Sequence, residues 1–257
     1  MATSNNSIHK YITAPAPRFV LRLFVLDKLF AKYISGSNKS FLEIGPGRGD
    51  VCAYLIEHPS IAKGTAVDLS DKSVEILKSR FKKTINLEIF CHDIAHNNLD
   101  GSFDYIVACE VLEHIDDDVG FLKKINALLN PNGYLFLSVP AYMKKWQKQD
   151  VHSGHVRRYE KAEIQEKLSD AGLVALNVLD YGFPLTTLLY PFRQLYYKDD
   201  ENRSKIEKTK SSGTERALFS KVSPDLSLPL YYPFALIQRL FYKFEFGDGL
   251  IIVATKK

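Results

Sequence analysis

Three cysteines in 257 residues, none in a C-x-x-C pair, leave no disulfide framework and no zinc spacing. Cys52, Cys91 and Cys109 each fall in an apolar stretch, so buried free thiols in a reducing compartment are expected. No run of about 18 uninterrupted apolar residues occurs, which argues against a spanning helix. The most apolar windows are broken by Arg22, Asp27 and Lys28 in one region and by Pro229, Pro233, Gln238 and Arg239 in another. The opening MATSNNSIHK has neither a charged lead into an apolar run nor a small-residue cleavage site. No signal peptide is therefore expected, and a cytoplasmic location is. Net charge is only +4, with no dense basic stripe, so nucleic acid is not expected as a partner. That mild basicity still suits contact with an acidic membrane surface. Internal repeats are also absent.

What is present is ordinary globular composition, 46% apolar and 25% charged, which excludes a disordered chain. The aromatics are uneven: nearly half of them lie between Tyr181 and Phe246. From Lys39 to about Gly182, short apolar runs alternate with helical patterns, as in βαβ units around a mostly parallel sheet. Strands are expected at 40–45, 64–69, 86–93, 103–110, 133–141, 173–181 and 249–255. Helical spacing of apolar residues marks four of the stretches between the first six, all but the one between the third and fourth. Ser70 or Asp71 can cap the second helix, Asp116 to Asp118 put negative charge at the start of the third, and Gly172 suits a helix end.

The whole chain, 1–257, reads as one domain. Residues 38–182 and 247–257 form its core, and 8–35 a helical cap with Arg18, Arg22, Lys28 and Lys32 off its apolar side. Residues 183–246 form an aromatic-rich lid insertion containing a mobile loop at 198–216.

The strongest local signal is Glu43-Ile-Gly45-Pro46-Gly47-Arg-Gly49-Asp50, directly after a strand and opening a helix. Alternate glycines let the backbone turn sharply and let a ligand lie against it. A dinucleotide fold would want a glycine where Asp50 stands, and a carboxylate there suits no pyrophosphate. No Gly-Lys-Ser/Thr follows either. The loop therefore favours a nucleoside without phosphates. Asp68 ends the next strand, where a carboxylate can accept both ribose hydroxyls, with Leu69 beside it. Asp93 ends the third, where it can accept from an adenine amino group.

These residues resemble the class I S-adenosylmethionine-dependent methyltransferases. LEIGPGRGD looks like the first motif of that family, AVDLS the second and CHD the adenine-contacting motif. FDYIVACEVLEHI and LLNPNGYLFLSVPA resemble the branch that includes the ubiquinone-biosynthesis and related small-molecule methyltransferases. GHVRRYEKAEIQEKLSDAGL resembles a Gly-His-x-Arg-Arg-Tyr segment of many such proteins, except that Glu160 stands at the usual Ser or Thr cap. The resemblance implies a Rossmann-like α/β fold with a doubly wound, seven-stranded, mostly parallel sheet whose last strand runs antiparallel. It implies S-adenosyl-L-methionine as cofactor and S-adenosyl-L-homocysteine as product. Glu43 and Gly45, with Pro46, Gly47 and Gly49, would approach the methionine part. Asp68 and Leu69 would meet the ribose and Asp93 the adenine, with Ile94 packed on its ring. Glu110 would lie near the methyl group.

A sulfonium already supplies the leaving group, so the protein must align the acceptor and exclude water. A base is needed only where the acceptor is protonated. His155, His114 and Tyr159 are the catalytic candidates, with His152 nearby. His114 reads first as the anchor of the loop after the fourth strand, and Arg157 and Arg158 equally as ties to carbonyls and carboxylates. Glu110, Glu113 and His114 form an E-x-x-E-H string that some ubiquinone-pathway and RNA-end methyltransferases use for a divalent metal. Most proteins with the string hold none, and none is expected here. The expected acceptor is small and apolar or lipid-like, met by lid aromatics such as Phe192, Tyr231 and Phe241. A protein or RNA acceptor, a silent S-adenosylmethionine-binding scaffold, and peripheral membrane contact by the lid stay open as alternatives.

Overall fold

The structure is a computed structural model that describes residues 7–196, 203–214 and 223–257. Seven strands form one sheet in the order β3-β2-β1-β4-β5-β7-β6. They are β1 (Lys39–Ile44), β2 (Ile61–Asp68), β3 (Leu87–Cys91), β4 (Phe103–Cys109), β5 (Leu129–Pro140), β6 (Leu173–Tyr181) and β7 (Gly249–Lys256). β1 to β5 pair in parallel, while β7 is antiparallel to both β5 and β6. The chain winds outward from β1 to β3 and then crosses back to β4. That leaves a switch point at the C-terminal ends of β1 and β4, where the flanking loops part and open a crevice.

Alternate strand residues feed two apolar layers, as a pleated sheet covered on both faces requires. Phe41, Val107, Phe136 and Val253 pack with α1 (Pro17–Tyr33), α2 (Asp50–Ile56) and α3 (Asp71–Arg80). Leu42, Ile106, Leu137 and Ile252 pack with α4 (Asp118–Leu128) and α6 (Lys161–Asp170), which follows the short α5 (Lys148–Ser153). Proline at its first turn starts α1, since a missing N–H costs nothing there. Its Phe30 ring meets Phe136 edge-on at 4.8 Å, a contact whose truncation to alanine costs about 3–5 kcal/mol.

The expected caps form at α3 and α4, where Ser70 and Asp117 side chains accept from Ser73 N and Gly120 N. Gly172 takes a left-handed φ of 77° after α6. Glu160 uses its carboxylate differently from a Ser or Thr cap. It accepts from Met143 N, while Glu163 reaches back to Glu160 N.

Three expectations need correction. Cys52 is buried and Cys109 partly so, but Cys91 is exposed, because the last residues of the edge strand β3 face solvent. Arg18 and Arg22 do not lie on a solvated face of α1: Arg22 is buried and both guanidinium groups turn toward the sheet edge. Within 198–216, the described part is not a loop. Residues 205–212 form α9 (Lys205–Ser212), capped by Ser204, whose hydroxyl accepts from Glu207 N. Residues 198–202 and 215–216 lie outside the described residues. The rest of the insertion holds α7 (Leu185–Leu188), α8 (Tyr190–Tyr196) and α10 (Pro224–Ile237). Among the described residues no helix is long and apolar enough to cross a membrane.

Candidate active site at the switch point

The loop between β1 and α2 turns on three glycines, Gly45, Gly47 and Gly49, all with left-handed φ. Gly47 shows why: at φ +57° its Cβ would lie 2.6 Å from the carbonyl oxygen of Gly213, just past α9. Asp68 holds this loop from β2. Its carboxylate accepts from Gly47 N at 3.2 Å, Ser70 N at 2.9 Å and Ser73 Oγ at 2.7 Å. Burial pushes its pKa up against those hydrogen bonds.

A cavity of about 680 Å³ opens over the ends of β1 and β4. Of the candidate site residues singled out in the sequence, Glu43, Gly45, Pro46, Gly47, Glu110, His114, His152 and His155 lie on its wall, as do Arg18 and Arg22 of α1. Gly49, Asp68, Leu69, Asp93, Ile94 and Tyr159 do not. Asp93 uses its carboxylate on its own turn, accepting from Ala95 N and His96 N and meeting His96 Nδ1 at 2.8 Å. Ile94 is buried in the layer that holds α4. Leu69 is half-buried, with its carbonyl 3.9 Å from Cys91 Sγ.

Glu43 is buried, and burial raises its pKa to about 7. Its Oε2 has no hydrogen-bond partner although it is out of contact with solvent, an arrangement that costs free energy unless a ligand answers it. Glu110 is the opposite case. It is ion-paired to Arg18 and to Arg22 (3.3 Å), and Ser138 Oγ donates to it at 3.0 Å. The two arginines hold its carboxyl below the usual carboxylate range, against the cost of burial. On the same wall Arg193 from α8 pairs with Asp248 at 2.7 Å.

The three proposed bases separate clearly. Tyr159 is fully buried, and its hydroxyl donates between Leu112 O (3.2 Å) and Asp118 Oδ2 (3.1 Å). Burial and Asp118 push its pKa far up, so it is a strut under the loop and not a base. His114 has its pKa pushed down to about 3 by burial and by His155, and its Nδ1 lies 3.2 Å from Thr209 Oγ1 of α9. It stays neutral and anchors α9, the structural reading of this residue. His155 alone combines the cavity wall with a buried carboxylate partner, Asp150, 2.8 Å from Nδ1. Arg157 and Arg158 are ties: Arg157 reaches Asp118 and Asp116 O, and Arg158 reaches Asp150 and Ala141 O.

The E-x-x-E-H string does not converge, because the arginines draw Glu110 away. Instead Glu113, His114 and His155 bring polar atoms within 4.8 Å of one another. The lid aromatics are redistributed too. Phe192 reaches the cavity, whereas Phe241 packs against Phe183 at 4.7 Å and Tyr231 donates to Pro15 O.

The profile of the methyltransferase-domain family matches residues 10–178. The chain belongs to that family. Among its relatives, the ubiquinone biosynthesis O-methyltransferase of Coxiella burnetii is 32% identical over 113 residues, 43% of this chain and 47% of that protein. The chain thus matches about half the length of that curated relative. A methyltransferase-domain structure from Clostridium acetobutylicum, described as S-adenosylmethionine-dependent, superposes with a TM-score of 0.57. It is 14% identical and is covered to 92%, with 93% of this chain. The N-methyltransferase NodS from Bradyrhizobium japonicum, in complex with S-adenosyl-L-homocysteine, gives 0.54 at 16% identity, over 98% of this chain and 93% of its own. Such identities speak for the methyltransferase fold alone.

Three site residues of this methyltransferase domain escaped sequence reasoning: Asp150, Arg193 and Asp248. Arg193 and Asp248 meet across a long stretch of chain, and Asp150 sits in a short helix without a strong pattern. The one available signal was Arg22, a charge set inside an apolar helical stretch.

Proposed function

We propose that the chain is an S-adenosylmethionine-dependent methyltransferase acting on a small, largely apolar acceptor with a proton-bearing oxygen or nitrogen. The carrying observation is one cavity that joins the glycine loop and Glu43 to a wall from α1, α7 and α8. The residues suit the cofactor: Glu43 offers a buried, unanswered oxygen for an ammonium group, and the Gly45-Pro46-Gly47 backbone allows close approach. Asp68 and Leu69 at the ribose, and Asp93 and Ile94 at the adenine, follow from the family pattern. The bound cofactor supplies an electrophilic methyl group on a sulfonium.

The protein's share is alignment, exclusion of water and removal of one proton. His155 is the group that takes this proton, and Arg18 and Arg22 keep Glu110 anionic beside it. Phe19, Leu189 and Phe192 favour an apolar acceptor. Exposed Leu226, Leu230, Leu240 and Phe244 extend the apolar surface of the insertion, with Arg239 and Lys243 among them, which suits a lipid-like acceptor at an anionic membrane surface. The likeness to the Coxiella ubiquinone biosynthesis O-methyltransferase and to NodS with its bound S-adenosyl-L-homocysteine supports this reading.

S-adenosyl-L-homocysteine should raise the melting temperature, and Asp68→Ala should abolish the shift by freeing the glycine loop. Labelled methyl should then pass from S-adenosylmethionine into a small, extractable product in a fractionated lysate, identified by its mass. No thermal shift at millimolar ligand would sink the cofactor reading. Label found only in protein or RNA would sink the acceptor reading.

A further inference from the structure

His155 is presented by a local device. α5 stops at Gly154, whose left-handed φ of 76° folds the chain back on itself. His155 N then donates to Asp150 O at 3.0 Å, and the imidazole Nδ1 meets Asp150 Oδ1 at 2.8 Å. The Asp150 carboxylate is held from its other side. Arg158 donates through Nε to Oδ1 (2.9 Å) and through Nη2 to Oδ2 (2.7 Å), and Gln147 N donates to Oδ2 at 2.8 Å. Arg158 is itself tied to Ala141 O, at the end of β5. Asp150 and Arg158 are both buried, so neither can exchange these partners for water.

A carboxylate with three N–H donors already on it has one orientation and stays ionised, and against the cost of burial these donors and the imidazole hold its pKa far below the usual range. Facing it, Nδ1 carries the proton. The lone pair is left on Nε2 of a ring that lies on the cavity wall. The charged and titratable groups that face this ring are Asp150, with Arg158 behind its carboxylate, and Glu110, Glu113 and His114 after β4. Glu113 Oε1 lies 3.6 Å from Nε2, outside hydrogen-bond range.

We propose that Asp150 is the positioning residue of the transfer, fixing His155 in the tautomer whose Nε2 can accept a proton. This rests on the methyl-transfer reading above. His155 Nε2 takes the acceptor's proton as the acceptor heteroatom bonds to the methyl carbon. The electron pair of the breaking carbon–sulfur bond stays on sulfur, giving the neutral thioether. Asp150 balances the imidazolium until water carries the proton away.

Asp150→Asn separates positioning from folding. An amide can keep its oxygen at the Oδ2 position, on Arg158 Nη2 and Gln147 N, and gives up only the Arg158 Nε bond to Oδ1; its nitrogen then donates to His155 Nδ1 and forces the proton onto Nε2. Long-range proton–nitrogen correlation on histidine-labelled protein, with the His155 signal assigned by His155→Gln, should find Nδ1–H in the wild type and Nε2–H in D150N. Calorimetry should give S-adenosyl-L-homocysteine affinities within about threefold of each other, which reports that the variant is folded.

With 4-tert-butylcatechol as acceptor, kcat should fall by about 100-fold or more in D150N and in H155Q. With 4-nitrocatechol, already largely ionised in mild alkali, the loss should shrink to a few-fold. An equal loss on both catechols overturns the proposal, because a damaged fold would not sense acceptor acidity. A wild-type proton on Nε2 overturns it whatever the acceptor. If the wild type binds the cofactor but methylates neither catechol, the acceptor class proposed above fails, while the tautomer still decides the role of Asp150.

Discussion

Glu43→Gln is expected to stabilise the ligand-free protein and to weaken the cofactor complex in the same molecule. Burial raises the Glu43 pKa from 4.5 to about 7, with Asp50 adding to the rise and a hydrogen bond from Cys52 opposing it. A carboxyl whose folded pKa exceeds its unfolded one binds more protons folded than unfolded through that interval. Its stabilising contribution is therefore complete below pH 4.5 and is lost as the pH rises through 7. At about 1.4 kcal/mol per pH unit, the loss approaches about 3 kcal/mol by pH 8.5.

An amide of the same shape does not ionise and escapes that loss. For a chain of this size about 1 kcal/mol corresponds to roughly 2 °C, so the variant should melt about 6 °C above wild type at pH 8.5. The two should nearly coincide at pH 4.5. In the complex the sign reverses, because a charge-assisted hydrogen bond to the ammonium is worth about 1.5–3 kcal/mol. S-adenosyl-L-homocysteine should bind about 10- to 100-fold more weakly. Scanning calorimetry across the pH range and titration calorimetry at pH 8.5 measure the two effects. A variant less stable than wild type at pH 8.5, or one with unchanged affinity, refutes the account of Glu43 as a strained residue waiting for a cation.

Gly47→Ala should lower the melting temperature by about 2–4 °C, since a left-handed L-residue costs about 1–2 kcal/mol and its Cβ would meet the Gly213 carbonyl. Gly213→Ala, at φ −68° with its Cβ in ordinary contact, should change stability by less than about 0.5 kcal/mol. Equal losses from both would refute the packing described for this contact. Tyr159→Phe removes the hydroxyl from Leu112 O and Asp118 and should cost about 1–2 kcal/mol in thermal unfolding. Its methyl-transfer rate per folded molecule should stay at the wild-type value, and a large fall in kcat would restore Tyr159 as a base.

The elements of the core were legible because each is written locally. Strand runs such as YIVAC, apolar residues three and four apart in the helices, Ser70 before α3 and Gly172 after α6 all act within a few residues of themselves. The glycine loop was legible for the same reason: left-handed turns need glycine whatever surrounds them. Segment 203–214 was misread because a charged stretch without apolar spacing looks like a loop. It becomes a helix through its Ser204 cap and its seat against α5 and the glycine loop.

By itself, then, the sequence determined the order of the core strands and of the helices that cover them, the loop that turns under a ligand, and the acidic residues at successive strand ends. Those follow from backbone preference and periodicity, which are properties of neighbours in the chain. Only the tertiary structure decided which charges are answered and which proton can move. Arg18 meets Glu110 across 92 residues and Arg193 meets Asp248 across 55. Asp150 fixes the imidazole of His155, Tyr159 is closed off under the loop, and one oxygen of Glu43 is left without a partner. Burial and distant partners set protonation and reach, and neither is encoded at the residue that they change.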